Sequence, residues 1–251
     1  MESRVPAVRR AAIMTVATAL TGLLAACATP SVPPAGTAPA AEATTGAPAA
    51  GYGTGACAPA GGVATPVLNF DDAFADCLDP AKTYMATVKT SQGSVVVQLD
   101  TERTPIATNN FVNLARSGYF DGTDLFRSEA QTGIIQGGSP HTQDNRDPGP
   151  GYTIPDEGLP FTTADYAPGV IAMANSGPDS GGGQFFFLSR EAGSYLGDPG
   201  AIGDSAGTYV VFGRTTQGLD VLQSISDLGS MPGSSTPSRP VTIESVTITE
   251  S

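Results

Sequence analysis

Three short apolar stretches each carry polar side chains able to meet at one surface: Leu125-Phe126-Arg127, Ile134-Ile135-Gln136-Gly137-Gly138 and Gly182-Gly183-Gln184-Phe185-Phe186-Phe187-Leu188. In a strand, successive side chains point to opposite faces. Gln184 and Phe186 therefore share one face, Phe185 and Phe187 the other, and Leu125 shares a face with Arg127. A guanidinium and two carboxamides beside an aromatic ring would form a shallow, partly apolar pocket with fixed hydrogen-bond donors. Such a pocket suits an uncharged polar group such as a peptide bond. Other chemistries find little support. The single His141 sits in a loop rich in Pro, Asp and Gly (Pro140–Pro150), and no Gly-x-Ser-x-Gly elbow occurs, which sets a serine hydrolase aside. His141, Asp144 and Asp147 offer no recognised ligand spacing, so no metal is expected. This loop reads as an exposed, solvated face.

The elements that must position these residues are short strands. Met85–Thr90 and Val95–Leu99 alternate around Ser91-Gln92-Gly93, a hairpin signal. Thr104-Pro105 predicts a helix start, with Thr as cap and Pro at the first helical position; Ile106, Asn110, Phe111 and Leu114 follow at helical spacing until Gly118. Further strands are expected around 124–127, 134–136, 170–174, 184–188 and 209–214. A second helix is expected over 217–228, with Leu219, Leu222, Ile225 and Leu228 on one side. In the last strand, the apolar parity switches between Ile243 and Val246, which predicts a bulge near Glu244. Many short strands and two helices fit a helix-capped β-barrel.

The run Thr108-Asn109-Asn110-Phe111-Val112-Asn113-Leu114, then Gly118-Tyr119-Phe120-Asp121-Gly122-Thr123, Leu125-Phe126-Arg127, Gln136-Gly137-Gly138, Gly169–Asn175, Ser180–Phe187 and Tyr209-Val210-Val211-Phe212-Gly213 resembles the cyclophilins, the peptidyl-prolyl cis/trans isomerases. The motifs occur in family order over roughly residues 83–249, within a domain expected to span 83–251. The resemblance implies a mainly β fold, a closed eight-stranded antiparallel barrel with a helix at each end. It also implies rotation of X–Pro bonds without a cofactor. In that family the arginine matching Arg127 is the electrostatic catalyst, and Phe186 matches the ring under proline. Gln136 and Gln184 match the substrate-binding glutamines, Ala174 and Asn175 the pair whose backbone holds the residue before proline, and Leu196 the pocket-wall leucine.

Three departures stand out. The family phenylalanine just before Gln136 is absent: Thr132, Gly133 and Ile134 stand there, with one extra residue after Arg127, leaving Ile134 to fill the apolar wall. Tyr209 replaces a histidine found in many members. The chain has no Trp, and Tyr195 stands nearest the tryptophan that helps many members bind cyclosporin, which argues against tight binding of that drug. A rival reading follows, a cyclophilin-fold module that binds proline-containing segments with weak catalysis.

The rest of the chain speaks to location. Arg4, Arg9 and Arg10 precede the apolar run Ala11–Ala26, too short for a span of about 20 residues and ordinary for a signal peptide. The run ends Leu24-Ala25-Ala26-Cys27, which resembles the lipobox of bacterial lipoproteins, where the cysteine is lipidated. Residues 1–26 are thus expected to be a signal peptide and Cys27 a lipid anchor on the outer face of the cytoplasmic membrane. Residues 27–56, almost only Ala, Thr, Pro, Gly and Ser, read as a disordered tether. Residues 57–82 form an extension with Cys57 and Cys77, which either pair, as an exported compartment permits, or stay as free thiols. The whole chain carries 12 basic and 24 acidic residues, net −12. This argues against nucleic acid. The expected partners are proline-containing polypeptides and, through the lipid alone, a membrane; the expected state is a monomer.

Overall fold

The computed structural model describes residues 51–229 and 235–251. The expected signal peptide, Cys27 and residues 27–50 of the tether lie outside them. Eight strands form one antiparallel sheet in the order β3-β4-β6-β5-β7-β2-β1-β8. The strands are β1 (Tyr84–Thr90), β2 (Gly93–Leu99), β3 (Arg127–Ser128), β4 (Ile134–Gly137), β5 (Val170–Met173), β6 (Phe185–Leu188), β7 (Val211–Gln217) and β8 (Ile243–Glu250). The helices are α1 (Pro105–Arg116), the four-residue α2 (Pro199–Ile202) and α3 (Leu219–Ser226). The expected hairpin is β1–β2. The expected bulge is also present: Lys89 pairs with Ser245 and Thr90 with Ile243, leaving Glu244 as the extra residue.

The sheet curls but does not close, contrary to the barrel expected from the resemblance. Among the described residues, no ladder joins the edge strands β3 and β8. The bridge between Asp124 and Thr242 and backbone bonds such as Leu125 N–H to Val241 O, 2.8 Å, stitch the seam. The local reason is covalent. Pro237 and Pro240 precede β8 and carry no N–H, so a ladder cannot run along that approach. The short β3 ends at a tight turn, where Gly133 N–H donates to Glu129 O at 2.8 Å.

The inner face of the sheet packs Phe185 at 5.5 Å from Phe111 of α1 and 5.3 Å from Phe120, while Phe111 sits 5.2 Å from Phe212. On the other flank, Leu222 and Ile225 of α3 are fully buried. α1 is unusual in that ten of its twelve residues are buried, Asn109, Asn110 and Asn113 among them. Its outer face is covered by residues 51–78, where the Cys57–Cys77 disulfide closes a loop with a Cα–Cα distance of 5.6 Å. Buried amides must find partners, and these do. Ala58 N–H donates to Asn113 Oδ1 (2.9 Å), Cys77 N–H to Asn109 Oδ1 (3.0 Å), and Asn109 Nδ2 to Ala75 O (2.9 Å). Gly53 and Gly55 already bond Phe74 and Ala73 through the backbone.

Thr104 precedes α1 but does not cap it. Its hydroxyl donates to the carbonyls of Asp100 (3.3 Å) and Val211 (3.2 Å). Glu157 does that work from a distant loop, accepting from Ala107 N–H at 2.7 Å. Burial pushes the Glu157 carboxyl above its ordinary value of 4.5. The amides of Ala107 and Ile106 pull it back down, and the charge of Asp100 adds to the rise. Because the folded-state value is raised, the stability contributed by Glu157 is full below its unfolded value and is lost as pH rises through the folded one. Glu157→Gln, which keeps the acceptor and removes the charge, should therefore gain in Tm relative to the parent between pH 4 and pH 7. A melting series showing a constant difference across that range would contradict this.

Candidate active site

The pairing register aligns the chemistry. Arg127 of β3 lies opposite Gln136 of β4, Gln136 opposite Phe186 of β6, and Phe186 opposite Ala172 of β5. Directly paired residues place their side chains on one face, so guanidinium, carboxamide and ring stand in a row across three strands. Ala172, fully buried, ends that row. Gln184, two residues before Phe186, falls on the same face, as its parity requires. Phe185 and Phe187 point the other way, into the core.

All nine residues expected to meet substrate, Arg127, Ile134, Gln136, Ala174, Asn175, Gln184, Phe186, Leu196 and Tyr209, line one groove of about 910 Å³. Ile134, Phe186 and Leu196 are buried in its floor. Tyr209 meets Phe186 edge to face, centroids 5.6 Å apart, and Asn175 Nδ2 is tied to Thr208 O at 3.0 Å. The polar side is a chain of hydrogen bonds. Arg127 Nη1 donates to Gln136 Oε1 at 3.0 Å, and Gln136 Nε2 donates to Gln184 Oε1 at 2.9 Å. Each donor is held before any ligand arrives, the condition for electrostatic preorganisation.

Two features beside these residues are announced by no sequence motif. Glu129 accepts from Arg127 Nε (2.9 Å) and Nη2 (2.6 Å) through one oxygen. Its only sequence signal is an opposite charge two residues beyond Arg127. The second is the 139–150 loop, which is less solvated than expected. The side chain of Asp147 is fully buried, accepting from the amides of His141 (2.7 Å), Thr142 (3.1 Å) and Gly149 (2.9 Å) and lying 3.0 Å from His141 Nδ1. Asp147 thereby shapes a wall of the groove, which Pro150 and Tyr152 continue.

The family model for cyclophilin type peptidyl-prolyl cis-trans isomerase/CLD matches residues 85–248. This chain belongs to the cyclophilin family. A peptidyl-prolyl cis-trans isomerase of Helicobacter pylori is 35% identical over 147 residues, covering 58% of this chain and 82% of that protein. A probable peptidyl-prolyl cis-trans isomerase B of Mycobacterium leprae is 31% identical over 186 residues, covering 67% of this chain and 57% of that one. A crystal structure of a Cryptosporidium parvum cyclophilin superposes with a TM-score of 0.53 at 25% identity, covering 66% of this chain and 98% of that chain. The same protein determined in the presence of the dipeptide Ala-Pro gives 0.52. The matched region begins at residue 85, so the segment over α1 lies outside it.

Within this cyclophilin the turn between Arg127 and Gln136 has a position that only glycine fits. Gly133 adopts φ +77°, and a Cβ there would meet Arg190 N at 2.6 Å. Ile134, the next residue, lines the groove.

Proposed function

We propose that this chain accelerates rotation about X–Pro bonds of exported polypeptides, held at the outer face of a membrane by lipid on Cys27. The row of Arg127, Gln136 and Phe186 is the observation that carries the catalytic part. Amide rotation faces a barrier of about 18–20 kcal/mol, and X–Pro exchange takes tens to hundreds of seconds. A turnover of about 10 to 10³ per second requires roughly 4–7 kcal/mol of transition-state stabilisation. The twisted amide loses resonance, and its nitrogen regains a lone pair. A cation with N–H donors stabilises that nitrogen more than the planar one, which is what raises kcat. Arg127 has five donors; three go to Glu129 and Gln136, leaving two for a ligand in the groove. Proline packs on Phe186, Ile134 and Leu196, while Gln136, Gln184 and the backbone of Ala174 and Asn175 clamp the flanking peptide. No proton transfer or cofactor is needed.

The glycine turn at 133, where other members carry a ring, favours a second reading of proline-segment binding with weak catalysis. The location rests on the basic, apolar, Leu-Ala-Ala-Cys start of the chain. In a bacterial host the intact chain should fractionate with membranes, and Cys27→Ser should release it; unchanged partitioning of the variant would sink the anchor.

A further inference from the structure

We infer that Glu129 is the positioning residue of Arg127, fixing the plane of the guanidinium that acts in catalysis; this rests on the isomerase reading above. Glu129 stands two residues beyond Arg127, on the same face of extended chain. One carboxylate oxygen, Oε1, accepts from both Nε and Nη2 of Arg127, at 2.9 and 2.6 Å. The other, Oε2, accepts from Thr132 Oγ1 at 2.7 Å. The carboxylate is therefore itself held, and it grips the guanidinium along one edge. Gln136 takes Nη1 on the next edge. Contacts on two edges remove rotation about the terminal torsions of a long side chain whose flexibility otherwise opposes ordering.

The backbone reinforces this. Glu129 N–H donates to Ile134 O at 2.9 Å, and Gly133 N–H to Glu129 O at 2.8 Å, so Glu129 and Thr132 both sit in the turn between β3 and β4. That turn thus supplies the site with a carboxylate and a hydroxyl. A carboxylate also offsets some of the positive charge of Arg127. Two effects of opposite sign are therefore in play, geometry and neutralisation. The double contact and the Thr132 brace favour geometry, because an ion pair with 36% and 25% of its side chains exposed is well screened, whereas misplacement of a catalytic group by about 1 Å can cost on the order of 10²-fold.

The test is steady-state isomerisation of an Xaa-Pro peptide by the intact chain, Glu129→Ala and Glu129→Gln, each at a temperature well below its melting midpoint. Glutamine keeps the Oε1 acceptor without the charge. The expected result is a fall in kcat of about tenfold in the alanine variant, an unchanged KM, and recovery of most of the loss in the glutamine variant. An alanine variant with undiminished or raised kcat overturns the inference, as does a loss confined to KM or a glutamine variant no better than alanine. An inactive parent chain would instead refute the isomerase reading, so the two failures are distinguishable.

Discussion

Arg127→Ala should lower kcat on an Xaa-Pro peptide by about 10²–10³-fold, the range for removing one preorganised donor from a developing charge, with a much smaller change in KM. The reasoning is differential. In the planar ground state the imide nitrogen has no lone pair to accept a bond, so the guanidinium contributes little to substrate affinity. In the twisted state it does. A loss of this type appears in kcat and kcat/KM together. Arg127→Lys should fall between the two, because a single ammonium cannot satisfy Gln136 and Glu129 from two edges while still meeting substrate. Folding should be little affected, since Arg127 lies on the edge strand β3 and its side chain is 36% exposed. Equal kcat for parent and alanine variant would remove Arg127 from the mechanism.

The largest stability effect should come from the disulfide. Replacing Cys57 and Cys77 together by Ser opens a loop of sequence separation 20, worth about 3 kcal/mol in the chain-entropy model. At roughly 2–4 °C per kcal/mol for a domain of this size, Tm should fall by about 6–12 °C, and a reductant should reproduce the fall in the parent. The loosened segment reaches the groove. Phe70 N–H donates to Pro150 O at 2.8 Å, and Phe70 and Phe74 pack on Tyr152 with centroids 6.3 and 6.0 Å away. Tyr152 in turn donates to Asn110 Oδ1 at 2.7 Å. KM should therefore rise in the double variant while kcat, set by the Arg127 row, stays near the parent value. A Tm unchanged by both substitution and reductant would contradict the structural role given to this segment.

What could be read from the chain follows from range. The β1–β2 hairpin, the face shared by Gln184 and Phe186, the apolar side of α3 and the bulge at Glu244 rest on periods of 2 and 3.6 residues and need no tertiary knowledge. The nine groove residues were legible because their motifs resemble a known family at matching spacing. The misses have physical causes. Residues 51–78 have no periodicity to betray that they cover α1, and Asn109 and Asn113, polar residues on a helix, look solvent-facing until their backbone partners arrive from that segment. Thr104 has the identity of a cap, but carbonyls of Asp100 and Val211 compete for its hydroxyl. Asp147 reads as a surface charge, yet three amides of its own loop bury it. The open seam depends on Pro237 and Pro240 lying beside β3, a long-range adjacency.

Catalysis by the groove is read out by magnetisation exchange between the cis and trans signals of a short Xaa-Pro peptide in the presence of the intact chain. Exchange cross-peaks at substoichiometric protein, absent without it, are the predicted result. Chemical-shift changes showing the peptide bound, with no exchange above background, would contradict the claim and leave a groove that holds proline without turning it.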